Sequence, residues 1–375
     1  MDLPKVYFVD VHARNSKESL LNKLESLFNH LEVAKAVAGR RVAIKTHVGA
    51  PLCTRYIRPV FIRKIVDLVR ESGGEPFVTD TTTLDIYRTR GTARGHLEVA
   101  TSHGFTEETL NAPIIVADGS YGFDCVAVKV NGLRLREVYV AKEFAESDVI
   151  LSVAHFKGHA LSGIGGACKN LGIGGCGKLS KNAAHFESLP RVDEEKCNGC
   201  GACLSSCLVQ AISIVEGKAQ IDESKCFACR ACIEDCPEKA IGNQRSSKEE
   251  FNLKMADLVY GLIKLMGKDN LFCFNFLLEV DWLCDCEHNQ LGWSDLPIVP
   301  DIGITASRDP VAIDQTSVDL VNKAPGTPGS KAEEARVLKP GGDKFQAING
   351  ISPSLHLEAL ERLGVGSRRY KLIKV

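Results

Sequence analysis

The sequence has almost no net charge, no long unbroken apolar run and no basic, apolar leader. Its 46 Lys and Arg against 47 Asp and Glu leave a formal charge of -1, too little field to hold a polyphosphate backbone or an anionic membrane surface. The longest apolar stretch, Leu271 to Val280, is broken by Asn275 and Glu279 and reaches about half of the ~20 residues a bilayer requires. The opening Met1-Asp2-Leu3-Pro4-Lys5 runs straight into Val6-Tyr7-Phe8-Val9, without the segments of an export signal. Depletion of apolar residues, the mark of disorder, is absent too, with 44% hydrophobic and 25% charged residues in 375. These absences predict a cytoplasmic protein with no membrane span and no nucleic-acid partner. Cysteine is what the chain has in excess: fifteen, eight of them between Cys197 and Cys236. In a reducing cytosol, dense cysteine points to metal or redox chemistry before disulfides.

The first 190 residues alternate short strands with helices. Val6 to Val11 and Val42 to Lys45 read as strands, and Ser16 is expected to cap a helix carrying Leu20, Leu24, Leu27, Phe28 and Leu31. A second stripe, Ile57, Phe61, Ile65, Leu68 and Val69, stops at Gly73-Gly74 before a strand over Pro76 to Asp80. Val126, Val128 and Val130 lead through Asn131-Gly132 to Leu133 and Leu135, which predicts a hairpin with a two-residue turn. Asp148 to Ala154 is a buried strand; later come a helix from Phe251 to Met266, a strand over Leu271 to Val280, and helices over Asp309 to Val321 and Leu355 to Leu363. The expected fold class is α/β, with a mainly parallel or mixed sheet and flanking helices. An α+β two-cluster ferredoxin-like domain over 191–245 would interrupt it, with 1–190 and 246–375 forming the two parts of the α/β domain.

The basis for that insert is an internal repeat. Cys197, Cys200, Cys203 and Cys207 follow Lys196 with the same C-x-x-C-x-x-C-x-x-x-C spacing with which Cys226, Cys229, Cys232 and Cys236 follow Lys225. This is the bacterial ferredoxin pattern for 4Fe-4S clusters, in which the fourth cysteine serves the other cluster. One cluster is then assigned to Cys197, Cys200, Cys203 and Cys236, and the other to Cys226, Cys229, Cys232 and Cys207. Structural zinc, the bland alternative, ordinarily uses paired cysteines in separate knuckles. The segment resembles two-cluster ferredoxins throughout, except that the usual Cys-Pro, present at Cys236-Pro237, is replaced by Cys207-Leu208. Ile212, Ile214, Ile221 and Ile241 are the expected apolar wrap.

A second group of candidates follows the strand that ends at Ala154. His155-Phe156-Lys157-Gly158-His159 opens a segment that continues through Cys168-Lys169-Asn170 to Cys176-Gly177-Lys178 and is dense in glycine. The carboxyl ends of sheet strands are where open α/β folds place ligands, and exposed amides with Lys157, Lys169 and Lys178 could cradle a small anion. His155 and His159 read equally as hydrogen-bonded structural groups, and Cys168 and Cys176 as buried small residues. Gly172-x-Gly174-x-x-Gly177 matches a dinucleotide fingerprint in letters only, since no strand precedes it. Farther on, Cys284-Asp285-Cys286-Glu287-His288 gathers soft and hard ligands. On an extended strand the two cysteines would share a face. With Cys168, Cys176 or His155 they could then bind an additional metal or form a redox-active disulfide; packed thiols are the alternative. Asp309 reads as a helix cap.

Taken together these stretches resemble the iron-sulphur-centre proteins grouped as domain of unknown function 362. The residues that carry the resemblance are Lys45, His155-x-Lys157, Gly165-Gly166-x-x-Lys169-Asn170, Cys284-Asp285-Cys286, Asp301-Ile302-Gly303 and Asp309-Pro310-Val311-Ala312-x-Asp314. The resemblance implies a cluster-binding redox protein of anaerobic metabolism. The expected function is transfer of low-potential electrons from two 4Fe-4S clusters to a redox partner protein or small-molecule acceptor at the glycine-rich loop. His155, Lys157, His159, Lys169 and Asn170 are its candidate catalytic residues. A non-catalytic carrier or assembly component, and an anion-binding enzyme with structural clusters, are the competing expectations.

Overall fold

The computed structural model describes residues 2–286 and 294–375. Its centre is an eight-stranded sheet of β1 (Lys5–Asp10), β2 (Arg41–Lys45), β3 (Glu75–Asp80), β4 (Ile114–Val116), β5 (Val149–His155), β6 (Leu271–Leu277), β7 (Gly303–Ser307) and β8 (Lys371–Lys374). The strands lie in the order β8-β1-β7-β6-β5-β2-β3-β4. Only β7 runs against the others, antiparallel to both β1 and β6. The sheet is therefore mixed and mostly parallel. β5 and β6 are buried at every position, as expected of strands covered on both faces.

Alternation along the strands divides the core in two. Val149, Leu151 and Val153 of β5 face one cluster, with Phe272, Phe274 and Phe276 of β6 and the helices α1 (Leu20–His30) and α2 (Pro59–Glu71). Ile150 and Cys273 face the other, against α5 (Lys248–Met266), α6 (Pro310–Lys323) and α7 (Ser354–Arg362). Between sheet and helices on that second side lies the short α3 (Ala167–Gly172), while α4 (Lys178–His185) packs on α5 and the strand Glu137–Ala141; the two helices lie in and just beyond the glycine-rich segment. Asp309 caps α6, accepting from the amides of Val311 and Ala312 at 2.9 Å each.

Two local expectations change. Ser19, not Ser16, caps α1, because Ser16 starts a separate short turn of 3-10 helix. The strands Cys125–Lys129 and Glu137–Ala141 do form a hairpin, but Asn131-Gly132 is not its whole turn. The buried Asp257 carboxylate of α5 accepts from the amides of Leu133, Arg134 and Leu135 at 2.6, 2.7 and 2.8 Å, drawing the connection out into a longer loop.

Residues 191–242 gather around a small core of their own, in which Cys197, Cys203, Cys232 and Cys236 pack with Ala219, Ala240 and Ile241. The chain enters and leaves this unit side by side, Arg191–Val192 pairing with Ile241–Gly242. A second ladder pairs Ile212–Val215 with Lys218–Ile221. Ile212, Ile214 and Ile221, partly buried, pack against this core. Among the described residues, no helix is long and apolar enough to cross a membrane.

Candidate functional site

Two groupings of side chains dominate, one in the small unit and one at the carboxyl end of the sheet. In the small unit a cavity is lined by Cys197, Cys200, Cys203 and Cys236 together. Burial pushes the Cys203 thiol up, with Cys197, Cys236 and Cys200 nearby adding to the shift. Burial pushes the Cys232 thiol up to about 12, with Cys229, Cys226, Cys207 and Cys203 nearby adding to the shift. Cys197, Cys200, Cys203 and Cys236, which come from both halves of the repeat, therefore share one cavity wall. Backbone amides donate to four of these sulphurs, Ala219 to Cys197 (3.4 Å), Ala240 to Cys236 (3.2 Å), Ala211 to Cys207 (3.2 Å) and Ala228 to Cys226 (3.4 Å). Such bonds favour the thiolate over the thiol.

The second grouping lines a pocket of about 520 Å3. Parallel neighbours β3, β2 and β5 end there in Asp80, Lys45 and His155, and the chain beyond β6 adds Trp282 to Cys286. Lys45 and Asp80 pair at 2.8 Å, and the same ammonium donates to Asn170 Oδ1 at 2.8 Å. Asn170 in turn donates to the Lys45 carbonyl (3.1 Å) and to Ser152 Oγ (3.0 Å), which seats α3 on the strand ends. Burial raises the Asp80 carboxyl, but Lys45, His96 and Arg90 outweigh it and hold it below the usual range.

Asp285 organises the opposite wall. It accepts from His155 Nδ1 and pairs with Lys157 Nζ, both at 2.9 Å, while His155 Nε2 faces the Leu278 carbonyl at 2.9 Å. Burial opposes its charge, yet His155 and Lys157 keep the carboxyl well below its ordinary value. Lys157 is displaced upward, since Asp285 and Cys284 overcome the burial that would lower it. Lys169 Nζ lies 3.2 Å from Cys284 Sγ and 3.8 Å from Cys286 Sγ. Burial raises the Cys284 thiol, but the bond from Cys286 and the charges of Lys169 and Lys157 bring it well below the usual thiol value.

All five candidate residues of the glycine-rich segment thus meet at one pocket. Lys178 does not line it: its ammonium is buried among Thr82 Oγ1 (3.2 Å) and the carbonyls of Thr83 and Gly91 (2.9 Å). Cys284 and Cys286 lie in a turn, not on a strand. Their neighbour is His159, whose ligand atom lies within 4.8 Å of both sulphurs. The expected third partners are elsewhere: His155 is held by Asp285, Cys168 donates to the Pro310 carbonyl at 3.2 Å, and Cys176 is buried in the core. Glu287 and His288 lie outside the described residues. The G-x-G-x-x-G letters follow α3, a helix, so the strand that fingerprint requires is missing.

Sequence reasoning missed Asp80, His47, Arg90, Lys181, His185 and Arg245, which also line the pocket. Asp80 was within reach, since it ends a strand beside the one that ends in Lys45. Among the described residues, Lys45, Lys157, Lys169, Lys181, Arg90 and Arg245 line the pocket, and three of these cations are paired, Lys45 with Asp80, Lys157 with Asp285 and Lys181 with Asp118, so that cations exceed carboxylates there.

The family described as "Domain of unknown function (DUF362)" matches residues 42–319. The chain belongs to this family. The match spans the carboxyl-end pocket and the cysteine repeat alike, and the stretches carrying the resemblance, Lys45, His155 to Lys157, Lys169-Asn170 and Cys284 to Cys286, converge on the DUF362 pocket. No curated protein matches the chain. Among solved structures, the lactate racemase apoprotein from Thermoanaerobacterium thermosaccharolyticum is similar at 12% identity and a TM-score of 0.42, covering 98% of this chain and 82% of its own.

Proposed function

We propose that this DUF362 protein is a cytoplasmic iron-sulphur redox protein that passes low-potential electrons to an anionic acceptor in the cationic pocket. Residues 191–245 would be a two-cluster ferredoxin-like insert in an α/β domain made of 1–190 and 246–375. Cys197, Cys200, Cys203 and Cys236 would hold one 4Fe-4S cluster, and Cys226, Cys229, Cys232 and Cys207 the other. The observation that supports this reading is the cavity lined by Cys197, Cys200 and Cys203 of one half of the repeat together with Cys236 of the other. The amides donating to Cys197, Cys207, Cys226 and Cys236 suit sulphurs that must remain thiolates under a metal. Bound there, such clusters supply one-electron transfer at potentials spanning roughly -700 to +450 mV.

The rest belongs to the chain's own side chains. Cys229 is the link from the small unit to the pocket wall: its carbonyl accepts from the Ile86 amide at 3.1 Å, and the segment through Thr82, Thr83 and Arg90 lines the pocket. Lys45, Lys157 and Lys169 would orient a small anionic acceptor and stabilise the negative charge that reduction builds on it, inside a site where burial strengthens that attraction. A redox partner protein would reach the exposed Cys200 side of the small unit.

Anaerobic purification with iron and sulphide counts, followed by EPR spectroscopy after dithionite, tests the reading. About eight irons per chain and a spectrum of two interacting reduced clusters are expected. About four irons, or none, would overturn it.

A further inference from the structure

The pair Cys284 and Cys286 is left without a role by cluster binding. Their sulphurs lie 2.9 Å apart, on the wall of the pocket, and Lys169 Nζ stands 3.2 and 3.8 Å from them. Two thiolates on one tetrahedral metal at ~2.3 Å bonds would keep their sulphurs ~3.8 Å apart. The observed separation is shorter than that edge, and within about 1 Å of a ~2.05 Å disulfide bond. A positive charge is also in place already, because the Lys169 ammonium lies within 3.8 Å of both sulphurs. His159 turns its Nδ1 lone pair to the Leu161 and Ser162 amides, 3.1 Å each. In the neutral ring the proton then sits on Nε2, which makes that nitrogen a donor and not a metal ligand.

The turn that carries the pair is pinned. Asp285, between the two cysteines, is fixed by His155 and Lys157 at 2.9 Å each. This anchors the residue between the two cysteines on both sides of the change of oxidation state.

We propose that Cys284 and Cys286 form a reversible disulfide-dithiol couple that serves as the two-electron station of the pocket. Reduction breaks the Sγ–Sγ bond with two electrons and one proton, leaving Cys284 as a thiolate beside Lys169 and Cys286 as the thiol that donates to it. Oxidation re-forms the bond and returns the two electrons and the proton. As to where the electrons come from, the inference rests on the cluster reading above, two one-electron donors supplying one two-electron acceptor. The couple itself is chemically separable from that source, since a small dithiol or a diazene oxidant can drive it.

The test uses the anaerobically purified full chain, divided between diamide and dithiothreitol, then unfolded in N-ethylmaleimide and cleaved after glutamate, which at Glu279 parts Cys284 and Cys286 from Cys273. After diamide the peptide bearing both cysteines is expected unlabelled and two mass units light; after dithiothreitol it takes two maleimides. Cys286→Ser should abolish the light peptide. Lys169→Met should raise the pH at which maleimide labelling of Cys284 in the folded, reduced protein reaches half its limiting rate, since the lysine charge favours the thiolate. A buried lysine with only a packing role would not produce that pH dependence. Two maleimides after diamide would overturn the proposal, as would a metal ion that shields both thiols until a chelator removes it. Iron measured on the same sample keeps the two readings apart. About eight irons without a light peptide defeats the couple alone, and a light peptide without iron defeats the cluster source alone.

Discussion

Lys45 and Asp80, the last residues of neighbouring parallel strands, pair at 2.8 Å with both side chains almost fully buried. Neither has a solvent shell to fall back on, so the charge of each leans mainly on the other, with Asn170 assisting Lys45 and the Thr81 amide, His96 and Arg90 assisting Asp80. Lys45→Met is expected to strand the Asp80 carboxylate and lower stability by about 3–5 kcal/mol, read as a fall in the urea midpoint of the purified protein. Lys45→Met with Asp80→Asn should recover part of the loss. A double variant no more stable than the single would contradict the pairing argument.

Asp314 of α6 supports the pocket from below. Its carboxylate accepts from the amides of Ala167 (2.7 Å) and Cys168 (2.9 Å) and from Asn275 Nδ2 (2.7 Å), tying the start of α3 to β6. Asp314→Ala leaves these donors buried without that acceptor, at about 1–3 kcal/mol for each donor left unsatisfied. Hydrogen exchange at Gly166 to Gly172 should accelerate more than exchange in α1. Equal protection of the two segments would show that Asp314 does not hold the loop.

The crossed assignment of cysteines makes its own prediction. Removing Cys200 and Cys236 together strikes one proposed cluster, and about four irons should remain. Removing Cys200 and Cys207 strikes both, and nearly all iron should be lost. The reverse pattern would mean that each half of the repeat keeps its own fourth cysteine.

Acid should weaken the fold before its carboxylates titrate. Burial depresses His96 to about 3, His185 to about 4 and His356 to about 3, all below the ordinary 6.5. The unfolded chain therefore binds protons that the folded chain refuses. Their contribution is intact above pH ~6.5 and is lost as the pH falls toward 4, by up to about 1.4 kcal/mol per pH unit for each histidine. Urea midpoints at pH 7, 6 and 5 should fall in that order; a flat profile would show that these rings are accessible in the folded state.

Much of the framework was legible because it depends on neighbours in the chain. The run Val149 to His155 announces a strand covered on both sides, and Asp309-Pro310 announces a helix start, through local sterics and hydrogen bonds. The hairpin turn at Asn131-Gly132 was misjudged because Asp257, far along the chain, captures the amides beyond it. Lys178 was misjudged for a similar reason, since its own helix turns the ammonium toward Thr82 and Gly91.

The cysteine repeat is a property of spacing: two residues between thiols bring successive sulphurs toward one centre, so the sequence alone suffices to propose how the repeat is grouped. The pocket is different. Lys45, Asp80, Lys157, Lys169 and Cys284 are spread over more than half the chain and meet only because β3, β2, β5 and β6 lie side by side with their carboxyl ends aligned. That alignment comes from burying two apolar faces of one sheet under helices, a sum over many contacts that no short stretch encodes. C-x-C spacing likewise leaves a metal, a disulfide or plain thiols open. The Lys169 ammonium and the turn pinned by Asp285, contributed by distant parts of the fold, favour the dithiol.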